Sequence, residues 1–217
     1  MQMERTVSGL KRDYVSVGDK VIQSFGGNQE WFEDERMKKF GCGLIGVADI
    51  LWYMNFTKAE GMTMSQEEYF LMTTGLRKKY FHLIPALGIT GWGIARGMNR
   101  YFRKHKSSMR AHWGVKTKHL QTEIVSMLEK DIPVLLSVGP NWPKLWGRQG
   151  VSLYSKPGRK YQEFFDHYVV VTSFDGKMLE VSSWGKRYFI LFEEYLSYIR
   201  QYSCGLFSNI LFIAQKQ

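Results

Sequence analysis

Two strand-like runs joined by a minimal turn constrain this chain more than any other feature. His167-Tyr-Val-Val-Val-Thr-Ser-Phe174 and Lys177-Met-Leu-Glu-Val-Ser-Ser183 are separated only by Asp175-Gly176. Both positions of a two-residue turn of this kind need positive φ, which makes Asp-Gly a strong hairpin signal. Upstream, Pro133-Val-Leu-Leu-Ser-Val138 reads as a buried strand leading into the loop Gly139-Pro-Asn-Trp-Pro143. Downstream, Arg187–Leu191 continues as a strand, Phe192–Ile199 as a short helix and Asn209–Ala214 as a closing strand.

The preceding half has a different texture. Its first 40 or so residues are polar, with short strands predicted around Tyr14–Val17 and Lys20–Ser24. After Gly41-Cys42-Gly43, the residues Leu44, Val47, Ala48, Leu51 and Met54 recur at helical spacing as one apolar stripe. A second helix opens at Ser65, where Glu68 completes a capping-box pattern. Ile94, Met98, Tyr101 and Phe102 outline a third, entered through a turn at Gly91-Trp-Gly93. Leu120, Ile124, Met127 and Leu128 outline a fourth, ended by Asp131 and Pro133. Helices first and an antiparallel sheet after them predict an α+β fold with segregated lobes, helical over about 36–130 and sheet over about 131–217.

With 217 residues, 44% of them hydrophobic, and 14 Phe, 12 Tyr and 7 Trp, the chain can bury one sizeable core. No stretch reads as a linker and no repeat is present, so a single domain over 1–217 is expected. The 30 Lys and Arg against 20 Asp and Glu leave a net charge of +10, which favours anionic partners such as nucleic acid, acidic peptides or membrane surfaces. The densest basic stretch runs through Arg96, Arg100, Arg103, Lys104, Lys106, Arg110, Lys116 and Lys118; helical spacing turns Arg96, Arg100, Arg103 and Lys104 to solvent. The first 20 residues lack the apolar core of a signal peptide, and no run is long enough to span a membrane. Cys42 and Cys204 are therefore expected as free thiols in a reducing, cytoplasmic setting. His112 has no ligand spacing around it, and no zinc pattern or phosphate-binding glycine loop occurs, so no metal or cofactor is predicted.

The chemistry concentrates at Cys42 and His167. Cys42 stands between Gly41 and Gly43 immediately before an amphipathic helix. The free N–H groups and macrodipole of a helix start favour a thiolate, which lowers a cysteine's pKa and makes it a nucleophile. His167 opens the first strand of the hairpin. If the Asp175-Gly176 turn is followed by regular pairing, His167 lies opposite Trp184 and shares a face with Ser182, not Ser183. A one-residue bulge would exchange Ser182 for Ser183. A base, a polar group to orient it and an indole to cover that hydrogen bond are what a Cys–His pair needs. Asn141, Trp142, Pro143 and Trp146 are candidates to line a substrate cleft.

Taken together, Gly-Cys-Gly before a helix, a helical lobe, the Pro-Val-Leu-Leu strand, His-Tyr-Val-Val-Val and Ser-Ser-Trp-Gly resemble the papain-like cysteine peptidases over roughly Arg36 to Ala214. The chain looks most like the bacterial branch that contains the double-glycine leader peptidases of bacteriocin exporters. The resemblance implies a central helix that starts at the nucleophile Cys42 and packs on the sheet lobe, with His167 as base and Trp184 as the covering indole. It sets Ser182 where the plant and lysosomal enzymes have Asn. It also implies a Gln six residues before the nucleophile as oxyanion donor; Arg36 stands there, and Gln29 or Asn28 would need a longer loop to reach. The expected function is hydrolysis of peptide amides in a peptide or protein substrate. A peptidase-like module that binds peptides without turnover is the alternative, and a polyanion or nucleic-acid binder the third reading.

Overall fold

The computed structural model describes residues 7–18, 23–55, 63–85, 88–141 and 149–216. Chain order begins with two short strands, β1 (Ser8–Gly9) and β2 (Ser16–Val17), then α1 (Glu35–Phe40), α2 (Cys42–Asn55), β3 (Thr63–Met64), α3 (Gln66–Lys79) and α4 (Gly91–Lys104). β4 (Met109–Trp113), α5 (Leu120–Glu129), β5 (Val134–Val138), β6 (Val151–Lys156) and β7 (Arg159–Phe164) follow. β8 (His167–Phe174), β9 (Met178–Ser183), β10 (Lys186–Leu191), α6 (Phe192–Gln201) and β11 (Ile210–Gln215) complete the order. Among the described residues nine strands form one sheet in the order β4-β11-β5-β8-β9-β10-β6-β7, with β1 paired on β8. Every pair in it is antiparallel, so the mixed α/β architecture and the large antiparallel sheet are as predicted.

The predicted helices form where their caps and periodicity put them. Ser65 Oγ accepts from Glu68 N at 3.2 Å and Glu68 Oε2 accepts from Ser65 N at 3.0 Å, a closed capping box on α3. Thr90 Oγ1 accepts from Gly93 N, so Gly91-Trp92-Gly93 is the first turn of α4 rather than a turn leading into it. α2 departs further from expectation. A single apolar stripe was anticipated, yet Leu44 through Leu51 are all buried, because the helix is packed against β5, β8, α3 and α4 together. Gly43 and Gly46 make this fit possible: a Cβ on Gly43 would meet Ile89, Ile94 and Tyr168, and one on Gly46 would overlap Leu135.

Five strands escaped the sequence reading, two of them the two-residue β1 and β3. β4 lies inside the stretch assigned to the helical lobe but joins the sheet beside β11. β6 and β7 form a hairpin around Pro157-Gly158, where Gly158 has φ +83°. Five of the six β7 residues are exposed, so the alternation that signals a strand is absent there. Of the strand predicted over Lys20–Ser24, residues 20–22 lie outside the described residues; Gln23 bridges Gly18.

The consequential difference is in register. Phe174 pairs with Leu179, not with Lys177. Asp175 Oδ1 accepts from the N–H groups of Lys177 and Met178 at 2.8 and 2.6 Å, and this side-chain turn widens the loop to four residues. Two extra residues leave the faces of the strands unchanged, because side chains alternate with period two. A bulge then changes them. Thr172 has no partner between the pairs Ser173–Glu180 and Val171–Val181, and its Oγ1 donates to Glu180 Oε1 at 2.9 Å. Beyond it Val170 pairs with Ser182, which places Ser183 on the face of His167 and turns Ser182 to the other.

Candidate active site

Cys42 is the first residue of α2, directly after Gly41, which closes α1 by donating its N–H to the Met37 carbonyl at 2.9 Å. A Cβ on Gly41 would overlap that same carbonyl, so the two helices join this closely only through glycine. The Cys42 side chain is half-buried and free. Burial pushes its thiol above the ordinary value; the N–H groups of Tyr168, Gly43 and Cys42 itself pull it back, and Asp166 raises it again. Here the expectation of a ready thiolate is corrected: desolvation outweighs the helix start.

His167 enters β8 after Asp166, which is left-handed at φ +50°. The residue is 9% exposed. Its Nε2 and Ser183 Oγ share a hydrogen bond of 2.8 Å. Trp184 stacks on it with centroids 4.2 Å apart and planes within 9°, and Phe164 meets it edge-on at 5.8 Å. Burial holds the imidazole down at about 3, so it is neutral at physiological pH. The serine bonded to His167 is therefore Ser183 and not Ser182, whose Oγ donates to the Phe25 carbonyl at 2.7 Å on the opposite face; the Thr172 bulge is the cause.

Trp184 reaches the ring through a strained backbone. Trp184 and Gly185 are the two turn residues between Ser183 and Lys186, with φ of +49° and +70°. A tryptophan in that conformation costs about 1–3 kcal/mol, whereas ring stacking returns only about 0.5–1.5 kcal/mol. Trp184 also meets Phe164 and Tyr188 edge-on, with ring centroids 6.4 Å away in each case. Strain of this kind clusters at functional sites.

Cys42 and His167 line two spaces in common. One is a small cavity of about 20 Å³, room for a single water, bounded also by Gln29, Asp49, Ser183 and Trp184. The other is a larger cleft of about 440 Å³ walled by Ile89, Trp92, Trp113, Tyr168 and Phe207. Among the described residues no hydrogen bond joins Cys42 to His167. Gln29 reaches the inner cavity, although its Nε2 donates to the Lys38 carbonyl at 2.5 Å. Arg36, at the position the resemblance assigned to the oxyanion donor, is exposed on α1 and lines neither space. The loop before α1 brings Gln29 in instead.

Of the residues expected at a cleft, Asn141 is buried, while Trp142, Pro143 and Trp146 lie outside the described residues. Trp92, Trp113 and Phe207 were not singled out as cleft residues. Asp49 was also missed; it is buried two turns along α2 with no pattern in the sequence to distinguish it from the core around it. The cations Arg96, Arg100, Arg103 and Lys104 are exposed, as their spacing predicts, and none of them lines the cleft. Among the described residues no helix is long and apolar enough to cross a membrane, and no His, Cys, Asp and Glu cluster suits a metal. No protein-family model matches the chain, and no curated protein matches it.

Proposed function

We propose that this protein is a thiol hydrolase of papain-like arrangement, acting on peptide amides with Cys42 as nucleophile and His167 as general base. The observation that carries the reading is the 2.8 Å His167–Ser183 hydrogen bond under the Trp184 ring, on a histidine that lines the same cleft as Cys42. With Nε2–H donated to Ser183, Nδ1 is the basic nitrogen. It takes the Cys42 proton as sulfur attacks the substrate carbonyl, and returns it to the leaving amine; water then releases the acyl group. Because thiol and imidazole are both neutral at rest, proton transfer accompanies attack instead of preceding it. The Cys42 N–H and Gln29, once freed from Lys38, are the oxyanion donors. The larger cleft lined by Trp92, Trp113 and Phe207 suits an extended peptide with an apolar side chain.

The test is acylation. A library of fluorogenic peptide amides, backed by activated peptide thioesters, is offered to the parent and to Cys42→Ala and His167→Ala. Turnover or a trapped acyl-thiol that needs both residues supports the reading; acylation indifferent to His167 removes it. A peptide-binding module without turnover is the second reading, and a specific observation favours it: the Gln29 amide is already engaged with Lys38. In that case Cys42→Ala keeps peptide affinity and no acyl-thiol forms in the parent.

A further inference from the structure

We infer that Asp49 is a positioning residue for the Cys42–His167 pair, clamping the loop Phe25–Gln29 between the helix that starts at Cys42 and the turn that carries Ser183 and Trp184. The inference rests on the thiol-hydrolase reading above. Asp49 is 1% exposed. Its two oxygens both accept from Gly27 N, at 3.0 and 3.2 Å, and it also accepts from Tyr69 OH at 2.7 Å and Tyr14 OH at 3.2 Å.

Gly27 is the link. Its N–H is held by Asp49 of α2, and its carbonyl accepts from Gly185 N at 3.0 Å, beside the stacked Trp184. Phe25 N donates back to the Gly185 carbonyl at 2.9 Å, and Ser182 fastens the Phe25 carbonyl. Three residues of loop thus tie the nucleophile's helix to the base's covering turn, and two residues further on Gln29 enters the cavity beside Cys42. The fit has no slack. A side chain at Gly27 would overlap the Tyr69 ring, and one at Gly26, left-handed at φ +77°, would strike both Ser182 Oγ and Asp49.

Burying a carboxylate against two hydroxyls and one amide, with no cation among those partners, costs more than an apolar contact would. Such an expense is common where geometry serves a site. The groups that face Asp49 are Tyr14 from the N-terminal segment, Gly27 from the loop, Tyr69 from α3 and, across Gly26, Ser182 from β9. Burial pushes the Asp49 carboxyl up to about 6 against the pull of those hydrogen bonds. Below that pH one oxygen becomes a donor, and the clamp loses an acceptor.

The experiment measures iodoacetamide alkylation of Cys42 from pH 5 to 8.5 in a Cys204→Ser background, where it is the sole thiol. Parent and Asp49→Asn are each compared with and without His167→Ala, below their melting temperatures. We expect Asp49→Asn to cut the His167-dependent part of the rate by about tenfold and to remove a rate component with a midpoint near pH 6, so that His167→Ala then slows alkylation about tenfold instead of about a hundredfold. A folded Asp49→Asn protein with undiminished His167 dependence overturns the inference, including when its melting temperature has dropped, since that result is a purely structural role. Should Asp49→Asn fail to fold, Tyr69→Phe keeps the carboxylate and removes one hydroxyl. A roughly threefold loss of His167 dependence there, about one neutral hydrogen bond, supports the clamp, and no loss overturns it. Failure of the underlying reading looks different: His167→Ala then leaves alkylation unchanged in the parent itself, before Asp49 is touched.

Discussion

The two walls of the cleft are held by different means. On the helical wall Cys42 is placed by backbone and shape. Gly41, Gly43 and Gly46 let α2 sink against α1, Ile89 and β5, and the groups nearest the sulfur are main-chain amides. On the sheet wall His167 is placed by side chains: one hydroxyl, one indole and one phenyl ring. Close packing tolerates little change, because an added methyl group meets fixed neighbours. A side-chain network fails piecemeal. Substitutions of the helical wall's glycines should therefore act on folding and reactivity together, whereas those on the sheet wall should separate the two.

The largest effect tests whether the walls act jointly. Cys42→Ala should abolish acyl transfer, a loss on the order of 10³ or more, while changing little else, because its half-buried side chain is small. His167→Ala should slow Cys42 alkylation and acylation about a hundredfold, the scale of a lost general base. If His167→Ala leaves both rates as they were, the walls share a cleft without sharing a reaction.

A smaller effect separates the two serines. Ser183→Asn offers His167 a longer and firmer acceptor and should raise the His167-dependent rate about threefold. Ser183→Ala should lower it about fivefold, the worth of one hydrogen bond. Ser182→Asn has no room beside Gly26 and should instead cost about 1–3 kcal/mol of stability, read by denaturant unfolding. The reverse assignment, with Ser182 governing rate and Ser183 governing stability, would return the pairing to the register predicted without a bulge.

The serines also show where sequence reading stopped. The Gly-Cys-Gly helix start, the Ser65 capping box and the His167 and Lys177 runs are local signals, and each formed. Which serine faces His167 depends on Thr172, five residues from His167, leaving the ladder to bond Glu180. Nothing local to Ser182 or Ser183 reports that. The thiol's environment was equally hidden, since the helix start argues for a thiolate and only the packing reveals the stronger desolvation. Asp49 was invisible for a third reason: its partners Gly27, Tyr69 and Tyr14 come from three distant segments, so no spacing announces them.

The smallest effect compares the two buried titrating groups, one behind each wall. His167 is held at about 3 when folded and returns to about 6.5 when unfolded. As pH falls below 6.5 the unfolded chain takes up a proton that the folded one refuses, so stability is lost; between pH 7 and 5 the loss is about 2 kcal/mol. Asp49 has the opposite sign. Its folded value of about 6 lies above the unfolded 3.8, so the folded protein binds the extra proton, and the same acidification returns about 1 kcal/mol. The two partly cancel, and the parent should lose only about 1 kcal/mol from these groups over that range. Asp49→Asn removes the compensating group and should steepen the loss to about 2 kcal/mol, whereas His167→Gln should turn it into a gain of about 1 kcal/mol. Urea unfolding at pH 7, 6 and 5 reads all three slopes. Identical slopes in the parent and both variants would mean that neither group changes its proton affinity on folding, and the neutral resting pair proposed for the cleft would lose its physical basis.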